Sequence, residues 1–144
     1  MTHRDTLLSL LVSSNRLIRI AAQAAGSTTP SAQWRTLGIL ETDGAMRVGA
    51  LATASRVTQP GMTRLLTTMT DDGLVSRIAD PEDSRAWLID ITPRGRDELQ
   101  NWRQLISETL EPRFHSLDEE EWAALELAAR VLASRTAAGS EVAA

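Results

Sequence analysis

Along most of the chain apolar positions recur with the 3.6-residue period of a helix, and near the middle one short stretch switches to strand-like runs. From Asp5 to Ala25, Leu7, Leu10, Leu11, Leu17, Ile18 and Ala21 fall on one stripe, with Arg16 and Arg19 outside it and Gly26 placed to end the helix. That stripe fits either packing within its own domain or burial against a second subunit. Thr29-Pro30 then predicts a second helix, with threonine as cap and proline in the first helical position. Its inward residues are Trp34, Leu37 and Leu40, and Asp43-Gly44 closes it. Because Trp34 keeps the spacing of the stripe, it belongs to the core.

The stretch from Met46 to Gly95 organises the rest. Ala45 to Val48 is expected as a short strand joining a later hairpin, Gly49 to Ser55 as a brief helix, and Ser55-Arg56-Val57 as a turn. Thr58 caps the next helix, which tolerates Pro60 in its first turn, where amide hydrogens lack intrahelical partners. Met62, Leu65, Leu66 and Met69 face inward, while Gln59, Thr63 and Thr67 line the opposite side with Pro60 and Arg64. Asp72-Gly73 ends the helix. Leu74 to Ala79 and Arg85 to Ile91 read as two strands around Asp80-Pro81-Glu82-Asp83-Ser84. Helix, turn, helix, hairpin is the layout of a winged helix-turn-helix.

Thr92-Pro93 repeats the threonine-proline start and opens a helix to about Arg113, striped by Leu99, Trp102, Leu105, Ile106 and Leu110 and stopped near Pro112. At about 30 Å for 20 residues it reaches beyond a compact winged helix. Ser116-Leu117-Asp118-Glu119 reads as a capping box for a last helix striped by Trp122, Leu125, Ala129 and Leu132, and residues 136–144 read as a frayed tail. The expected fold is mostly α with a small β-hairpin wing, in a single domain over 1–144. The winged helix-turn-helix occupies 29–95, flanked by helices over 5–25 and 93–135.

Composition narrows the chemistry. With 144 residues the chain can bury a real core, and with no cysteine it forms no disulfide or thiolate metal site. No apolar run approaches the roughly 18 residues of a membrane span. Leu7 to Val12 is too short and lacks a cleavage site, so the expected location is cytoplasmic, with no membrane partner. The net charge of −4 alone argues against nucleic acid, but its distribution changes that. Between Ala45 and Thr70 stand Arg47, Arg56 and Arg64 and no acid, whereas Glu108 to Glu126 holds seven acids against Arg113. One face can therefore meet phosphate while another repels it. The acids Asp118 to Glu121 suit the positive end of a helix better than a metal.

His3 and His115 lie far apart without metal-ligand spacing, glycine-rich phosphate loops are absent, and no acid pair is placed for acid–base work. No enzyme, metal or cofactor is expected. Double-stranded DNA fits better. In a helix-turn-helix the second helix enters the major groove, here residues 58–70. Gln59 can pair with adenine, Arg64 with guanine or phosphate, and Thr63 with either a base or a phosphate. Pro60 permits close approach, and the helix start, capped by Thr58, favours phosphate. Thr67 continues this face; Arg47, Arg56 and Arg77 add positive charge around it. In the wing, residues 80–85, Arg85 can enter the minor groove, with Asp83 holding its guanidinium.

Asp83-x-Arg85-x-x-x-Ile89-x-Ile91-Thr92-x-x-Gly95 is similar to the wing signature of the MarR family of bacterial transcription regulators. Leu51-Ala52, Val57-Thr58-Gln59-Pro60, Met62-Thr63-Arg64-Leu65 and Asp72-Gly73-Leu74-Val75 resemble its helix-turn-helix, and Gln33-Trp34-Arg35-x-Leu37-x-x-Leu40 its preceding helix. The resemblance implies a homodimer held by the first and last two helices, through Leu7, Leu11, Ile18, Trp102, Ile106, Leu110, Trp122 and Leu125. It further implies a palindromic operator, a repressor's role and release by a small lipophilic or aromatic effector. Gln59, Pro60, Thr63 and Arg64 become groove contacts, and Arg85 the wing-tip contact positioned by Asp83. Two residues depart from the family pattern: Ser55 replaces an apolar residue, and Arg56 a small turn residue. The rival reading is a dimeric winged-helix module that binds protein instead of DNA.

Overall fold

The computed structural model describes residues 1–137. Six helices and one hairpin follow in order: α1 (His3–Ala24), α2 (Ser31–Asp43), α3 (Val48–Ser55), α4 (Gln59–Asp71), β1 (Val75–Ala79), β2 (Trp87–Ile91), α5 (Pro93–Leu110) and α6 (Glu119–Thr136). Residues Met1–Thr28 with Asn101–Asp118 form one compact unit, and Thr29–Gln100 with the segment from Glu119 form another. The expected tail lies outside the described residues from 138 onward, and Thr136 is still helical.

The second unit carries the winged helix-turn-helix. Its core joins Leu37 and Leu40 of α2, Leu51 and Ala52 of α3, and Met62, Leu66 and Met69 of α4. Leu74, Val75, Ile89 and Ile91 of the hairpin and Leu99 of α5 complete it. Trp34 packs against this core, as its spacing predicts. The strands pair antiparallel with Val75 opposite Ile91 and Ala79 opposite Trp87. The expected third strand is reduced to one bridge: the Met46 N–H donates to the Ile89 carbonyl at 3.1 Å, and the Ile89 N–H donates back at 2.8 Å.

Two turns fix the angle between elements. After α4, Gly73 adopts φ +75°, so the Leu74 N–H can reach back to the Met69 carbonyl at 2.9 Å. After α3 the same closure forms, with the Val57 N–H on the Ala52 carbonyl at 3.0 Å, but the left-handed residue is Arg56, at φ 56°. A side chain there costs on the order of 1–2 kcal/mol that glycine would avoid. The neighbouring departure is accommodated by pairing. Ser55 is fully buried, its hydroxyl lies 3.0 Å from that of buried Thr36, and its carbonyl accepts from Arg35 Nε at 2.8 Å. A buried hydroxyl that finds a partner carries no desolvation penalty of consequence.

Thr92 and Gly95 attach α5 to the hairpin. Thr92 Oγ1 donates to the Gly73 carbonyl at 2.6 Å and accepts from the Gly95 N–H at 3.0 Å. A Cβ at Gly95 would lie 2.1 Å from the Leu74 carbonyl oxygen, so only glycine fits.

Helix boundaries depart from expectation at four places. The first helix starts at His3 instead of Asp5, because Thr2 caps it: its hydroxyl accepts from the Asp5 N–H at 3.1 Å while the Asp5 carboxylate accepts from the Thr2 N–H at 2.8 Å. The Thr2 amide, and then the Thr2 hydroxyl, which donates to the same carboxylate at 2.7 Å, hold the Asp5 carboxyl below its usual range. Thr29 does not cap α2; Pro30 takes the cap position, which has no side-chain bond. The long helix ends at Leu110 instead of Arg113, because the chain tightens into a 3₁₀ turn over Glu111–Phe114 around Pro112. Finally, α6 begins at Glu119, so Asp118 and not Ser116 precedes its first turn, in which Glu119, Glu120 and Glu121 still face the positive helix end.

Candidate nucleic-acid interface

The second helix of the motif, α4, is organised by its cap. Thr58 Oγ1 accepts from the Gly61 N–H at 3.1 Å, and a Cβ at Gly61 would come within 3.0 Å of that oxygen. Glycine therefore lets the cap close tightly. With the apolar side of α4 in the core, Gln59, Pro60, Thr63, Arg64 and Thr67 are left exposed. The Gln59 side chain reaches toward α3, where a Cβ at Gly49 would stand 3.6 Å from Gln59 Oε1, an ordinary van der Waals contact. Thr63 Oγ1 donates to the Gln59 carbonyl and Thr67 Oγ1 to the Thr63 carbonyl, each at 3.0 Å.

The hairpin loop is built by two aspartates with different tasks. Asp80 is buried, with 9% of its side chain exposed. Its Oδ1 accepts from the Glu82 N–H at 2.9 Å, and its Oδ2 receives both Nε and Nη2 of Arg47, at 3.1 and 2.9 Å. The Glu82 amide bond, then the Arg47 guanidinium, hold the Asp80 carboxyl below its ordinary value; the same pairing raises that of Arg47. Arg47, expected among the DNA contacts, is thus a brace between the start of α3 and the base of the wing. Sequence reasoning missed Asp80 because its partner lies 33 residues away.

Asp83 behaves differently from expectation. It does not grip the Arg85 guanidinium; its Oδ1 accepts the Arg85 backbone N–H at 3.0 Å, and its Oδ2 lies 3.7 Å from Arg47 Nη2. Its positioning of Arg85 is through the main chain, leaving the side chain exposed. Arg56, Arg64, Arg77 and Arg85 are all exposed and have no carboxylate partner among the described residues. The face around α4 and the loop therefore presents guanidinium groups whose donors are open to an anion.

The residues expected at a dimer interface are largely uncovered in one chain. Leu7, Leu11 and Ile18 of α1 and Trp122 and Leu125 of α6 are exposed, while Trp102, Ile106 and Leu110 of α5 are half-buried. Leu8 and Val12 of α1 and Leu127, Val131 and Leu132 of α6 add to them. Periodicity pointed to Leu132, but not to Leu8, Val12, Leu127 or Val131. The described residues hold no cluster of three or more histidine or acidic side chains that could bind a metal, and no helix long and apolar enough to cross a membrane.

Residues 30–87 match the model of the MarR family. An HTH-type transcriptional regulator of Mycobacterium tuberculosis is 35% identical over 89 residues, which make up 62% of this chain and 62% of that protein. The HTH-type transcriptional repressor IacR of Pseudomonas putida is 28% identical over 87 residues, 60% of this chain and 52% of IacR. The fold is also that of a MarR family protein from Bacillus stearothermophilus, with a TM-score of 0.68 at 22% identity over 92% of this chain and 95% of that one. The winged helix-turn-helix of this chain thus matches the MarR family model, and the fold of the chain is that of a MarR family protein.

Proposed function

We propose that the protein is a non-enzymatic, DNA-binding transcriptional regulator that acts as a homodimer on a palindromic operator, with α4 in the major groove and the wing at the minor groove. The observation that carries this reading is the face around α4. Its helix start is capped, no acid stands on it before Asp71, and Arg64 and Arg85 project from helix and wing without carboxylate partners among the described residues. Two such faces, related by a dimer axis, match two half-sites about one turn of DNA apart. The uncovered apolar residues of α1 and α6 support the dimer. The likeness to IacR, itself a repressor, favours repression.

Fluorescence anisotropy with DNA from the protein's own promoter region tests the assigned surface. Replacing Arg64 by alanine should weaken binding by about 1–3 kcal/mol if it reads a base, with relaxed specificity at one position. Arg85→Ala should also weaken binding, and both variants should keep the wild-type circular dichroism and oligomeric state. Full affinity in both variants would remove α4 and the wing from the interface.

A further inference from the structure

The side chains of α4 that face outward differ in what they can donate. A threonine hydroxyl has one hydrogen. In Thr63 and Thr67 that hydrogen is already engaged, on the Gln59 and Thr63 carbonyls respectively. What each then presents is a γ-methyl group and the lone pairs of its oxygen, which can only accept. The guanine edge in the major groove offers only acceptors, N7 and O6, so neither threonine can bond it without giving up a bond already made. A G·C pair does present the cytosine amino hydrogens, but only an A·T pair offers the thymine C5-methyl group beside its amino hydrogens. It complements both things that such a threonine presents.

Resting on the DNA-binding reading above, we infer that Thr63 and Thr67 select A·T pairs by contact with the thymine methyl, leaving guanine to Arg64 alone on this face. The two threonines stand one i,i+4 step apart, about 6 Å along the helix, or roughly two base-pair steps. Gln59 extends the same row by one step toward the helix start, and its amide matches adenine. The row therefore addresses a short A·T-rich segment within each half-site.

The test uses the full chain. A randomised duplex library is first selected on the protein, and each thymine of the selected half-site is then replaced by uracil, which lacks only the methyl group. Wild-type binding should weaken about three- to fourfold for each contacted methyl, the effect of withdrawing one buried methylene-sized group. Thr63→Ser keeps the hydroxyl and removes the methyl, so uracil should then be neutral at one position per half-site. Thr63→Val keeps a methyl and should remain sensitive there. Specific binding that is indifferent to uracil everywhere, or uracil sensitivity unchanged by Thr63→Ser and Thr67→Ser, would overturn the inference while leaving the DNA reading intact. A library that yields no enriched sequence would overturn the DNA reading itself, and the inference with it.

Discussion

The winged helix-turn-helix and the outer helices use the same kind of residue in opposite ways. Leu37 and Met62 are 0% exposed, enclosed by a core cluster drawn from residues 34–99. Leu11 and Leu127 are 64% and 56% exposed. A scattered exposed leucine needs no explanation, but Leu7, Leu8, Leu11 and Val12 share one side of α1, a spacing that concentrates apolar surface on one flank. The first region is complete within one chain. The second is arranged as though a further surface completes it, which is how the proposed dimer arises.

The largest effect should come from the complete region. Leu37→Ala removes a fully enclosed side chain and should destabilise the fold by about 2–5 kcal/mol, read as a lowered thermal midpoint by circular dichroism. The double change Leu8→Glu with Leu11→Glu should leave secondary structure intact but place charges in the apolar contact, shifting sedimentation from dimer to monomer. A dimer that survives it would exclude α1 from the interface. Loss of helical signal as severe as that of Leu37→Ala would erase the contrast between the two regions.

A smaller effect concerns the wing. The Asp80 carboxyl is held below its ordinary range, so its bracing is fully present above the unfolded carboxyl value of about 3.9 and is lost as pH falls through the lowered native value. The indole resonance of Trp87, beside Ala79 in the hairpin register, should shift in that acid range. In Asp80→Asn the acid-range shift should disappear while the thermal midpoint changes little, since Arg47 is half in solvent. An unchanged acid transition in Asp80→Asn would detach the wing from this pair.

Which features could be read from sequence follows from the range of the interactions. The Thr58 cap, the Thr92-Pro93 start and the glycines at 73 and 95 act within a few residues or sit in a recognisable signature, and the structure has them in those roles. The Arg47–Asp80 brace and the Thr36–Ser55 pair join positions far apart in the chain, and nothing local announces them. Ser55 and Arg56 depart from the family pattern at the turn. One is satisfied by a partner from α2, and the other accepts a left-handed conformation that its neighbours impose. Where sequence reasoning paired Asp83 with the Arg85 side chain, it chose correct neighbours and the wrong atoms, because an aspartate two residues before an amide bonds the backbone first.

The most direct test of the DNA-binding homodimer is the salt dependence of its affinity for DNA from its own promoter region, followed by anisotropy together with the number of chains bound per site. Two chains should bind one site, and log affinity should fall linearly with log salt, by a slope of about 0.9 for each phosphate neutralised. Binding that is absent at low salt, or one chain per site with no salt dependence, would contradict it.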